Sequence, residues 1–167
     1  MKKLKYLFLF IIILLFGCKI TQKSNTIPKN VLFVIDGIPS DKINVDKLDK
    51  NEIAEIIVLK GKSASDLYGK KAKNGAVLIS SKKGAIRIYQ KNLSSISPEY
   101  AEKLKLVKEE KELVYIIDNT PIIENHEVKL LHLKSNQIKE IKIIDSNATR
   151  INYGLDRKEG AVIIITK

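Results

Sequence analysis

Cysteine is almost missing from this chain: Cys18 is the only one in 167 residues. With no second thiol there can be no internal disulfide, so a fold must rest on apolar burial even in an exported setting. Aromatic residues are only 6% of the chain and form no base-stacking motif. Without that motif or a recognisable nucleic-acid module, the net charge of +11 does not point to nucleic acid. It reads instead as a solvated lysine-rich face, with attraction to anionic surfaces or acidic partners as the weaker alternative. Also missing are a Gly-x-Ser-x-Gly elbow, a paired-carboxylate signature and a complete phosphate loop; Gly61-Lys62-Ser63 lacks the upstream glycine such a loop needs. No catalytic residue and no cofactor are therefore expected. Long apolar runs are scarce too. The longest, residues 7–16, has ten residues, about 15 Å as a helix against a hydrocarbon core of roughly 30 Å. That length excludes an ordinary membrane span and suits the core of a signal peptide.

What stands around that run is an address. Lys2, Lys3 and Lys5 precede it and Gly17-Cys18 follow. Leu15-Phe16-Gly17-Cys18 resembles a bacterial lipoprotein lipobox, which implies cleavage before Cys18 and acylation (palmitate or a similar chain) of its sulfur and new amino terminus. More than one acyl chain is what stable anchoring requires. A secretory signal cut elsewhere, or an uncleaved anchor, is the alternative. With residues 1–17 removed as signal peptide, 150 residues remain and the charge falls to +8, because three lysines leave. Residues 18–30, polar with Pro28, read as the lipid-anchored tether. Lys19 stands where enteric lipoproteins carry the Asp that retains them at the inner membrane, so the expected location is the outer membrane, facing the periplasm.

Beyond the tether the chain repeats itself. Tyr68-Gly69 and Gly75-Ala76-Val77-Leu78-Ile79 return as Tyr153-Gly154 and Gly160-Ala161-Val162-Ile163-Ile164. Phe33-Val34-Ile35-Asp36-Gly37-Ile38-Pro39 is answered by Tyr115-Ile116-Ile117-Asp118-Asn119-Thr120-Pro121. Aligning 33–40 with 115–122, and 49–82 with 134–167, gives 3 and 12 identities in 8 and 34 positions, so fold and function are argued per copy. Residues 31–84 form the first repeat, 85–112 a linker and 113–167 the second.

Apolar patterning assigns the parts. Residues 31–35, 56–59 and 75–80 read as buried strands, with turn formers from Asp36 to Pro39 ending the first. One or two helical turns are expected within 46–53. A short helix over 63–68 has Ser63 as cap with Asp66 as its reciprocal partner, and Gly69 ends it. The second copy repeats this over 113–117, 138–144 and 160–166, with Ser146 or Asn147 as cap. In the linker, Pro98 opens a helix over 98–111 on which Tyr100, Leu104 and Val107 share a face; it serves as a cover for a sheet face or as a spacer. The expected fold is α+β, two repeated β-α-β-α-β units joined by an amphipathic helix. A unit of about fifty-five residues is marginal alone, so the copies should pack on each other or on a partner.

Each copy resembles the plug domain of TonB-dependent outer-membrane receptors, above all the glycan-importing ones. The motifs are Asp36-Gly37-Ile38-Pro39, Ile53-Ala54-Glu55-Ile56 leading to Leu59-Lys60, the helix ending Tyr68-Gly69, and Asn74-Gly75-Ala76-Val77-Leu78-Ile79. The second copy keeps Asp118, Pro121, Ile138, Ile141, Tyr153, Gly154, Gly160 and Thr166-Lys167 but departs at Asn119 and at Ile143-Ile144-Asp145. The resemblance implies mixed sheets with short helices and an outer-membrane setting. A barrel of twenty or more strands would need on the order of two hundred further residues, and the sequence stops at Lys167 after the last plug-like strand. Transport is therefore not expected, nor, without a coupling box in residues 19–30, direct energy coupling.

Candidate residues are few. Asp36 and Asp118 follow equivalent strands, and Tyr68 and Tyr153 precede equivalent glycines; these four are the candidate partner-binding residues. Against that, the aspartates read as turn residues bonding neighbouring amides, and the tyrosines as packing residues. His126 and His132, with Glu124 and Glu127 nearby, lack the spacing of a zinc site and read as surface residues. The function expected is a non-enzymatic, lipid-anchored accessory module that binds an envelope protein, such as a TonB-dependent receptor. A ligand-sensing ectodomain is the alternative, and an envelope hydrolase a weaker third reading.

Overall fold

The structure is a computed structural model and describes residues 30–167; Cys18, the expected signal peptide and the expected tether up to residue 29 lie outside them. The fold is α+β, with two four-stranded mixed sheets of the same topology. In the first, β1 (Leu32–Ile35) turns back into β2 (Ile38–Ser40), and β3 (Ile53–Leu59) and β4 (Ala76–Ser81) complete the order β2-β1-β4-β3. In the second, β5 (Val114–Ile117), β6 (Thr120–Ile122), β7 (Ile138–Ile144) and β8 (Ala161–Thr166) give β6-β5-β8-β7. β1 runs parallel to β4, and β5 parallel to β8. The register repeats as well, with Leu59 opposite Ala76 and Ile144 opposite Ala161.

Two strands here were expected to be turns. Asp36 and Gly37 have φ of 49° and 84°, and Asp118 and Asn119 have 46° and 65°. Two successive left-handed residues make the tight hairpin loop whose twist matches its strands, and Asp, Asn and Gly tolerate that conformation. The chain therefore reverses within two residues and pairs at once. Pro39 and Pro121 fit because β2 and β6 are edges, where a missing N–H faces away from the ladder.

The helices also depart from expectation at their starts. Helix α1 (Lys42–Asp46) precedes the range 46–53, which holds only a 3-10 turn at Lys50–Glu52 before β3 begins. Helix α2 (Gly61–Tyr68) starts two residues before Ser63, which is interior; Ser65 Oγ donates to the Gly61 carbonyl at 3.1 Å, and Asp66 pairs with Lys62 at 2.9 Å. The capping pair of Ser63 and Asp66 therefore does not form. In the second copy the cap of α6 (Ser146–Tyr153) is Asp145, accepting from the Ala148 amide at 2.8 Å, rather than Ser146 or Asn147.

The linker is a pair of helices, α3 (Lys82–Ile96) and α4 (Pro98–Leu106), with α5 (His126–Leu131) packed on α3. Helix α3 begins inside the range assigned to the first repeat, and α4 stops at Leu106 short of Lys111. Sequence reasoning missed α3 because Gly84 and the branched Ile86 and Ile88 lower its helix propensity. Its buried Ala85, Tyr89 and Leu93 nevertheless recur every four residues on one face. Ser97 caps α4 by accepting from the Tyr100 amide at 3.1 Å.

These helices build their largest core on the second sheet, and α3 also packs on β3 and β4 of the first. Tyr89, Leu93 and Tyr100 pack against Leu113, Tyr115, Ile141, Val162 and Ile164. The opposite face of that sheet carries Val114, Ile116 and Ala161 against Tyr153. The first sheet has a smaller core of Ala64, Ala72 and Ala76 under α2, and its Val34, Val77 and Ile79 are buried as well. The copies meet through α3 and α5: His132 Nε2 lies 2.9 Å from Glu55, and Asn92 donates to the Leu133 carbonyl at 3.0 Å.

Candidate functional site

Asp36 and Asp118 make the same contact in both copies. Asp36 accepts from the Ser81 amide at 2.8 Å and the Ser81 hydroxyl at 2.7 Å. Asp118 accepts from the Thr166 amide at 2.8 Å and the Thr166 hydroxyl at 2.6 Å. Each carboxylate thus ties the hairpin turn to the far end of a parallel strand. The bonds to Thr166 hold the Asp118 carboxyl below the usual carboxylate range. The aspartates bond residues 45 and 48 positions away, not the neighbouring amides expected of turn residues.

Tyr68 packs on Ala64, Ala72 and Ala76, and Tyr153 on Val114, Ile116 and Ala161. Asp36 and Tyr68 are not brought together. One sits by Ser81 at the end of β4 and the other by Ala76 at its start, about 17 Å of strand apart. Gly75 (φ 113°) and Gly160 (φ 83°), which open β4 and β8, leave no room for a Cβ beside the carbonyls of Leu59 and Ile144.

The second copy holds a polar cluster that sequence reasoning missed. Tyr89 Oη donates to Glu110 at 2.5 Å, and the hydroxyls of Tyr100 and Tyr115 are 2.9 Å apart. The rings of Tyr115 and His126 stack at 5.9 Å between centroids, 13° from parallel. His126, expected at the surface, is partly buried here; its Nε2 makes no hydrogen bond but lies 2.8 Å from Glu110, an ion pair when the ring is protonated. Burial draws the His126 pKa down, yet Glu110 and then Glu127 outweigh it and leave the group raised. Desolvation, then coupling to the Tyr115 phenol and to Glu110, holds the Tyr89 and Tyr100 phenols far above their ordinary range, and burial pushes Tyr115 up to about 12. Phenols so placed stay protonated and act as hydrogen-bond links. Beside them a cavity of about 100 Å³ is lined by Lys111, Tyr115, Ile122, His126 and Arg157, below the 300–1,000 Å³ of small-molecule sites. Among the described residues, no three His, Cys, Asp or Glu side chains converge to hold a metal ion.

The more unusual surface is β3. Expected to be buried, Ile56, Ile57 and Val58 are 55%, 38% and 48% exposed. Ile56 matches Ile141 of β7, which is 9% exposed beneath the helical cover. Ile38, Ile43 and Leu67 of the same copy are also exposed. A sequence signal existed in the alignment: where β7 carries Lys139 and Lys142, β3 carries Ala54 and Ile57.

Compared with protein-family models, curated proteins and solved structures, the chain matches none.

Proposed function

We propose that this chain is a non-enzymatic lipoprotein of the outer membrane, anchored at Cys18 and facing the periplasm, whose plug-like first repeat is a docking surface for an envelope protein. The observation that carries it is unequal burial at matched positions. Two copies of one module share strand order, register and aspartate clamp, yet the β3/β7 edge strand is covered only in the second, where Ile141 lies beneath the helices while its match Ile56 is open. The first leaves Ile38, Ile43 and Ile56 to Val58 at the surface. Ile38 and Ile43 lie toward the β2 edge and Ile56 to Val58 on the β3 edge, and apolar residues kept open where the twin strand is buried mark a surface for interaction. The resemblance to plug domains makes a TonB-dependent receptor the partner class.

The test is cross-linking in intact cells from a photoreactive residue placed at Ile43, followed by capture. Recovery of one envelope protein, lost when Ile43→Lys is introduced beside a probe at Ile38, supports the reading; recovery of none rejects it. Anchoring is tested separately: Cys18→Ala should abolish the acyl mass and release the chain from membranes or leave it unprocessed, and unchanged fractionation and mass reject it. A ligand-sensing role has one observation in its favour, the cavity beside His126 and Arg157. That cavity lies in the second copy only, and a ligand there would raise thermal stability on binding.

A further inference from the structure

Four sheet edges exist among the described residues, and three are guarded. β2 and β6 carry Pro39 and Pro121, and β7 carries exposed Lys139 and Lys142. Proline and lysine are the residues that keep an edge from pairing with a foreign strand. β3 has neither. Its first residues are engaged, since Glu55 meets His132, but Ile56, Ile57 and Val58 protrude on both faces of the sheet. A strand laid along this edge would cover all three.

We propose that the strand is β3 of a second copy, paired antiparallel about a two-fold axis at Ile57. This rests on the reading of the first repeat as the binding half of the molecule and assigns its β3 edge to a second copy, leaving the Ile38 and Ile43 side to the envelope partner. In that register Ile57 faces Ile57 of the second copy, Ile56 faces its Val58, and Glu55 faces its Leu59. Each exposed apolar side chain thereby gains an apolar neighbour, the condition of a self-complementary two-fold interface. Charge runs the same way. The end of β3 leads to exposed Lys60, Lys70, Lys71 and Lys73, whereas its start follows exposed Lys47, Asp49, Lys50 and Glu52, whose charges cancel. Antiparallel pairing sets the basic end of one copy beside the charge-balanced end of the other, whereas parallel pairing would set the two basic ends together. A five-residue ladder buries less than the roughly 1,200 Å² typical of stable interfaces. The pair therefore forms where anchoring confines both copies to one membrane and raises their effective concentration.

The experiment uses the full chain in the membrane where it is made. Cys18 is the only native cysteine, so the unsubstituted chain is the blank. Ile57→Cys should give a disulfide-linked dimer on mild oxidation, because directly opposed strand residues lie within disulfide reach. Lys142→Cys, the matched site on β7, should give little. Two differently tagged chains, one Ile56→Cys and one Val58→Cys, should cross-link to each other more than either does to itself. No dimer at residue 57, equal dimer at 142, or a product joined to a different protein overturns the proposal. The first two outcomes leave the docking reading standing if the probe at Ile43 still captures its partner.

Discussion

A Cβ at position 84 would stand inside the carboxylate of Asp36. Gly84 belongs to α3, and Asp36 to the turn after β1, so the bare glycine lets the first copy's clamp close against the start of the linker. Glycine to alanine within a helix ordinarily stabilises by close to 1 kcal/mol. Here the sign should reverse. Gly84→Ala is expected to destabilise by about 1–3 kcal/mol through overpacking, while Lys83→Ala, one residue away and exposed, should be near neutral. Denaturant midpoints of the two variants decide it; a stabilising Gly84→Ala would show that the clamp yields freely.

The clamp itself predicts a stability phenotype. Asp36→Ala removes the acceptor of two hydrogen bonds and leaves the Ser81 amide unpaired, a loss of about 1–3 kcal/mol. Asp118→Ala should destabilise in the same direction, and Asp36→Asn, which keeps the turn conformation, should lie between alanine and the parent chain. Thermal melting measures this. Lost partner capture with an unchanged melt would return Asp36 to the binding surface.

Tyr68 and Tyr153 offer a second separation of packing from binding. Each ring is partly buried against small or branched residues. Alanine at either should lower stability by about 2–3 kcal/mol, under the range for fully buried aromatics. Partner capture per folded molecule should be unchanged.

His126 makes stability depend on pH. Its folded-state pKa is raised above the ordinary 6.5 by Glu110 and Glu127, which outweigh the lowering effect of burial. A raised pKa means that the protonated ring stabilises the fold. That contribution is complete below about 6.5 and is lost as pH rises through the higher folded value. Unfolding free energy measured at about pH 6 and about pH 8 should fall with pH, and His126→Gln should flatten the difference. An unchanged slope in His126→Gln would assign the dependence to another group.

Much of the architecture was legible in local patterns. The run from Val31 to Ile35, the glycines at 69, 75, 154 and 160, and the twice-used Asp at the first turn are signals carried within a few residues. Backbone conformation and strand pattern are local properties. The hairpins were missed because Asp-Gly followed by Ile-Pro reads as a strand ending, when a two-residue turn lets the proline sit on an edge. Helix α3 was missed because its propensity is weak, and its stability comes from Tyr89 and Leu93 reaching a sheet formed more than twenty residues later.

The candidate surface was less legible than the fold. Ile56, Ile57 and Val58 read as a buried strand because apolar runs are usually covered, and a chain does not announce that its edge has no neighbour. His126 likewise read as a surface residue, since Glu110, Tyr89 and Tyr115 approach it only through tertiary packing.

By itself, then, the sequence determined that one module occurs twice and which residues turn the chain, because those follow from short-range sterics and apolar spacing. Only the tertiary structure decided that the linker helices cover the second sheet and leave β3 of the first open. Burial is a property of non-local neighbours, and two nearly matching strands acquire opposite roles according to what packs against them.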